Sequence, residues 1–171
     1  SFSVWLSHDV DWVHKNIIQT FYYTLKEKRF YHFINTLTSK NNYWNFKDYQ
    51  EIESKYGTKS TFFFLNESII PKWNNWKSIK LGYGRYDIND QKVKKIIKEI
   101  DRGGWEIGLH GSYYSYNNFN LLKQEKNILE DILGHRLTGV RQHHLNNNIP
   151  KTWEFHKKLG FKYDSSFGEK H

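Results

Sequence analysis

Short apolar runs and helix-period segments take turns along this chain. Phe2–Leu6 (FSVWL) reads as a first buried strand, followed by a polar turn over Ser7–Asp11. Asn16–Leu37 reads as a long aromatic helix, and Phe46–Tyr56 as a second helix closed by Gly57, a residue type that takes the left-handed conformation helices end on. Ser60–Leu65 (STFFFL) has the clearest strand signature, being short, aromatic and bounded by polar residues. Asn66–Asp87, with Pro71, two Trp and two Gly, reads as irregular. Over Asp90–Arg102 the apolar positions Val93, Ile96, Ile97 and Ile100 fall at i, i+3, i+4 and i+7, one face of a helix, and Gly103 and Gly104 stop it. Trp105–Leu109 is the third strand, Leu121–Leu133 the helix after it, and Thr138–Gln142 the fourth strand. Pro150 opens a helix to Leu159, as a first-turn proline does, and Phe161–Tyr163 is the fifth strand. Repeated βαβ units predict an α/β fold with a parallel sheet and helices outside it, either doubly wound or a barrel.

Composition removes several function classes. No run approaches the ~20 apolar residues of a membrane-spanning helix. Aromatics make up 18% of 171 residues, which argues against disorder. With no cysteine, disulfides, thiolate metal sites, iron–sulfur clusters and cysteine nucleophiles are excluded. Methionine is also absent, even at position 1, so the chain reads as a processed end or a piece of a longer polypeptide. Lys and Arg number 26 against 18 acids, a net charge of +8. The lysines are spread out rather than clustered, and no nucleic-acid partner is expected; binding that weakens steeply with salt would be the sign of one.

In parallel α/β folds function gathers at the carboxyl ends of the strands. His8, Asp9 and Asp11 follow the first strand, His110 the third, Arg141-Gln142-His143-His144 end the fourth, and Asp164 follows the fifth. Asp9 and Asp11, two apart on extended chain, share a face. Adjacent carboxylates repel, and a cation relieves this, leaving one as ligand and the other as general base; a strand-end aspartate can equally cap the next helix. His110 can be a ligand or a hydrogen-bonded strand-end histidine. Strand parity puts Arg141 and His143 on one face, with Gln142 and His144 on the other. One Asp, two His and a spare Asp have the composition of a catalytic metal site with an open position, which would hydrolyse an amide or ester.

At these residues the sequence resembles the polysaccharide deacetylase superfamily, carbohydrate esterase family four. LSHDVDW (Leu6–Trp12) resembles the first motif in the Asp-x-Asp form of one branch, and KYGTKSTFFFL (Lys55–Leu65) the second strand with its lead-in. GRYDI (Gly84–Ile88) also looks like that branch. EIGLHGSYYSY (Glu106–Tyr116) resembles the second motif, GVRQHHL (Gly139–Leu145) the third, and GFKYDSSFG (Gly160–Gly168) the fourth.

The resemblance implies a distorted (β/α) barrel over a single catalytic domain, residues 1–171, incomplete at its C-terminus. It implies removal of acetyl groups from N-acetylated sugars of a polysaccharide or cell-surface glycan, using a divalent metal, zinc foremost. Carried over, Asp9 matches the general base, Asp11 the aspartate ligand, His110 the first histidine of the second motif, Arg141 the arginine orienting the base, and Asp164 the acid of the fourth motif. The second histidine ligand of that motif falls on Tyr114 here. His143 is the candidate third ligand, with His8 and His144 as runners-up, and Tyr114 and His144 are candidate substrate contacts. His144 is also the candidate acid for the leaving amine, because the fifth motif has no match. Tyr113, Tyr116, Trp73 and Trp76 could stack on sugar rings. The alternative is a degenerate deacetylase-like domain that binds glycan without catalysis. Oligomeric state is not legible, and localisation stays open between bacterial cytoplasm and cell envelope.

Overall fold

A computed structural model describes residues 4–14 and 44–167. Phe2 and the helix expected over Asn16–Leu37 lie outside the described residues. The elements are β1 (Ser7–Val10), α1 (Phe46–Lys55), β2 (Thr61–Leu65), α2 (Trp76–Gly82), α3 (Gln91–Arg102), β3 (Glu106–Gly111), α4 (Phe119–Leu133), β4 (Gly139–Gln142), α5 (Lys151–Leu159) and β5 (Tyr163–Asp164). Short 3-10 turns at Ser115–Asn117 and His143–Leu145 follow β3 and β4.

The sheet is parallel, in the order β1-β2-β3-β4-β5. A doubly wound sheet reverses its strand order at a switch point. Here every crossover steps the same way, which is the order of a (β/α) barrel wall. Right-handed crossovers then put the connecting helices on one face. That face carries the core: Val10, Phe62, Phe64, Ile107, Leu109 and Val140 meet Val93, Ile96, Ile97 and Ile100 of α3 and Leu122, Leu129 and Ile132 of α4. The i, i+3, i+4, i+7 stripe of α3 is the buried stripe.

On the opposite face, alternation brings Asp9, Phe63, Gly108 and Arg141 into adjacent rows. The Arg141 guanidinium lies 4.5 Å from the centroid of the buried Phe63 ring, and Trp5 meets the same ring edge-on at 6.0 Å. Gly108 makes room for that ring: a Cβ there would stand 2.4 Å from Phe63 Cε1. With Arg141 and Trp5 against it, the ring has little space to retreat. Gly108→Ala should therefore cost ~1–3 kcal/mol, read as a melting temperature several degrees lower.

The structure shifts several expected boundaries. β1 begins at Ser7 rather than Phe2, because parallel pairing sets Ser7 opposite Thr61. His8 and Asp9 thus lie within the strand, and Val4, Trp5 and Leu6 are exposed. The segment expected to be irregular contains α2, whose Asn75 cap accepts from the Ser78 N–H. β5 is Tyr163–Asp164, so Asp164 sits in the strand rather than after it.

Candidate functional site

Asp11, His110 and His143 each offer a ligand atom, and these atoms all lie within 4.8 Å of one another. Asp11 follows β1, His110 is in β3, and His143 follows β4, so the sheet order carries three side chains to one place. Asp11 Oδ1 is 3.3 Å from His110 Nε2, and Asp11 Oδ2 is 3.8 Å from His143 Nε2. Both imidazoles are buried, their rings 5.2 Å apart and inclined at 66°.

Each histidine has a polar group behind it, and His110 is hydrogen-bonded to its own. His110 Nδ1 is 2.9 Å from the carbonyl oxygen of Arg141, its register partner. That carbonyl can only accept, so Nδ1 donates to it and Nε2 is the nitrogen turned toward Asp11. His143 Nδ1 lies 3.8 Å from Glu67 Oε2. The Glu67 side chain is itself buried and accepts from the Tyr113 N–H at 3.0 Å. Carboxylates and carbonyls behind imidazoles are the usual support of metal-ligating histidines.

Burial alone would raise the Asp11 pKa, but His110, His143 and Arg85 outweigh it and hold the carboxyl below the ordinary aspartate range. Asp11 Oδ1 and His143 Nδ1 are buried without a hydrogen-bond partner. A carboxylate with one orphaned oxygen beside His110 and its other oxygen facing His143 suits a cation. The 3.3 and 3.8 Å separations are near the ~3.3 Å edge of a tetrahedron of 2.0–2.1 Å bonds. One carboxylate with two imidazoles is a donor set fitting zinc or another borderline divalent ion.

Asp9 stands beside this trio in the grip of Arg141. Nη1 donates to Asp9 Oδ1 at 2.7 Å, Nη2 to Ser7 Oγ at 2.9 Å, and Nε to Ser165 Oγ at 3.0 Å. Arg141 thus fixes both halves of the site: its side chain holds Asp9 and its backbone holds His110.

The other expected residues lie farther out. Asp164 does not touch the Asp9–Arg141 pair. It pairs with His156 of α5 at 3.2 Å and accepts from the Ser166 N–H at 2.8 Å, because strand parity turns it to the helix-covered face. Ser166 Oγ accepts from the Gln142 N–H, so Asp164 steadies the end of β4 at one remove. Burial pulls the Asp164 pKa up, but His156 and Ser166 draw it below the ordinary value.

His144 departs from the parity expectation. β4 ends at Gln142, and His144 and Leu145 take positive φ of 56° and 55°, so the alternation stops. The His144 ring stacks on His143 at 4.3 Å instead. His8 points away from the trio, to Glu53 at 2.8 Å. Tyr114 is 46% exposed and packs against Tyr113, with Lys77 over both rings. Trp73 and Trp76 are exposed as well. Glu67 and Arg85 are the site residues that sequence reasoning missed.

No family model matches the chain, and no curated protein matches it. Solved structures do. A protein described as a candidate polysaccharide deacetylase from Mycobacterium smegmatis superposes with a TM-score of 0.53 at 16% identity, over 94% of this chain and 49% of that one. A CE4 family pseudoenzyme from Bacillus anthracis gives 0.49 at 13% identity, over 69% and 37%. A polysaccharide deacetylase from Bacillus cereus gives 0.44 at 15%, over 94% and 58%. The chain spans 37% to 58% of the length of these three.

The strands, their order and the helices on one face define an α/β barrel wall. The M. smegmatis superposition, running over nearly the whole chain, shows that the two proteins share this fold. Among the described residues, no helix is long and apolar enough to cross a membrane.

Proposed function

We propose that this chain is a metal-dependent hydrolase that removes acetyl groups from N-acetylated sugars of a polysaccharide or cell-surface glycan. The observation that carries the reading is the gathering of Asp11, His110 and His143 within ligand distance, with Asp9 and Arg141 tied to the same strand ends. Asp11, His110 and His143 hold the cation. When bound, a zinc-like ion polarises the acetyl carbonyl and eases ionisation of water. Asp9 is the general base, oriented by the Nη1 donor of Arg141, whose Nη2 and Nε are anchored on Ser7 and Ser165. Asp164 supports the β4 end through Ser166. Tyr114 and His144, both exposed at the mouth, contact the sugar.

The test is metal content and acetate release on N-acetylglucosamine oligomers, with and without a chelator. One equivalent of divalent metal is expected, lost together with acetate release in His110→Ala. Acetate release indifferent to chelator and to His110→Ala would sink the reading. No metal and no acetate, with oligomer binding intact, would support a glycan-binding domain without catalysis, a reading that Tyr114 at the usual histidine position favours.

A further inference from the structure

Arg85 is not needed by the chemistry above, yet its guanidinium reaches both Asp11 and His143. Its side chain is 8% exposed. The guanidinium lies 4.2 Å from the centroid of the Trp12 ring. Nε donates to the Leu81 carbonyl at 2.9 Å, and Nη1 to the Asp11 carbonyl at 3.1 Å. Nη1 also stands 3.9 Å from Asp11 Oδ1. Nη2 is 3.2 Å from His143 Nε2. Arginine stays protonated and offers donors alone, so Nη2 donates and His143 Nε2 accepts. The imidazole proton then sits on Nδ1, on the side of Glu67. A ring nitrogen has one lone pair. It can accept from Arg85 or bind a metal, and it cannot do both.

We propose that Arg85 is a displaceable internal cation of this site: without metal its guanidinium occupies the Nε2 lone pair of His143 and offsets the charge of Asp11, and a divalent cation gains His143 only by displacing it. The inference rests on the metal reading above. It makes Arg85 a positioning residue that weakens metal affinity while stabilising the metal-free fold.

The experiment is calorimetric zinc titration of wild type, Arg85→Gln and Arg85→Lys, with thermal unfolding of each in chelator and in zinc. Arg85→Gln is expected to bind zinc roughly tenfold or more tightly, since a charge-assisted hydrogen bond no longer competes. Its metal-free melting temperature falls, because Asp11 and His143 lose their cation. The rise in melting temperature on adding zinc therefore exceeds that of wild type. Arg85→Lys keeps the charge without the fork and falls between the two. Zinc bound by wild type with equal or lower affinity in Arg85→Gln overturns the proposal and leaves the metal reading standing. Zinc bound by neither overturns both. Should Arg85→Gln not fold, Arg85→Lys decides: tighter zinc binding than wild type supports the proposal, and equal or weaker binding overturns it.

Discussion

Asp9→Asn is expected to lower acetate release by about 10²–10⁴-fold, the span a positioned general base contributes, while zinc affinity stays within a few-fold of wild type. The separation follows from geometry. The metal trio consists of Asp11, His110 and His143, and Asp9 is not among them. Asp9 Oδ1 instead takes the Nη1 donor of Arg141 at 2.7 Å. Asparagine keeps an oxygen for that donor, so the strand and the metal ligands are undisturbed, but an amide cannot take a proton from water. Calorimetry for zinc and a colorimetric assay for acetate read the two halves separately. Loss of both together would place Asp9 among the ligands. Loss of neither would move the base elsewhere. Arg141→Lys gives a graded control: a single ammonium cannot serve Asp9, Ser7 and Ser165 at once, so acetate release falls by less than in Asp9→Asn.

What the sequence reveals of this site depends on how each residue reaches it. Asp11, His110 and His143 are legible because parallel topology delivers strand ends to one edge whatever the fine register. The helices α3 and α4 are legible from their periodicity, and Gly134, at φ 81°, ends α4 as a left-handed cap. Glu67 and Arg85 were missed because they lie in a segment without period. Their contacts with Tyr113 and His143 span 46 and 58 residues; GRYDI marks the stretch around Arg85 as a motif, but no local pattern shows that its side chain reaches His143. The start of β1 was misplaced because apolarity marks FSVWL, whereas hydrogen bonding to β2 selects Ser7–Val10. His144 leaves the face that parity predicts because parity holds only while the strand lasts, and two left-handed residues end it. Asp164 had a signal that went unread. Thr152, Phe155, His156 and Leu159 are spaced as the inner face of α5, and a histidine on such a face needs a polar partner beneath it.

Glu125→Gln is expected to raise stability on the alkaline side and to leave it nearly unchanged near pH 4–5. Glu125 lies on α4 with 1% of its surface exposed. Its Oε2 accepts from the Ser112 N–H at 3.2 Å, and its Oε1 is buried without a partner. Burial pushes its pKa up to about 8, and the negative charge of Glu67 adds to that, although the Ser112 hydrogen bonds pull the other way. An unfolded glutamate titrates near 4.5. Below that value both states hold the proton, and the fold carries no penalty. Between 4.5 and about 8 the folded protein binds a proton that the unfolded chain has released. Stability therefore falls with rising pH by ~1.4 kcal/mol per pH unit, to a total on the order of a few kcal/mol. Above about 8 the folded state must bury the charge itself, and the loss levels off. Glutamine is neutral throughout and keeps an acceptor for Ser112, so its unfolding free energy escapes this decline. Urea unfolding of both proteins from pH 4.5 to 9 gives the difference directly, since every other titrating group is common to the two. Parallel curves would mean that Glu125 is ionised in the fold at neutral pH, with a cation or water beside Oε1. Diverging curves, with the glutamine variant ahead at pH 9, would establish a protonated carboxyl beneath the Ser112–Ser115 turn that follows His110.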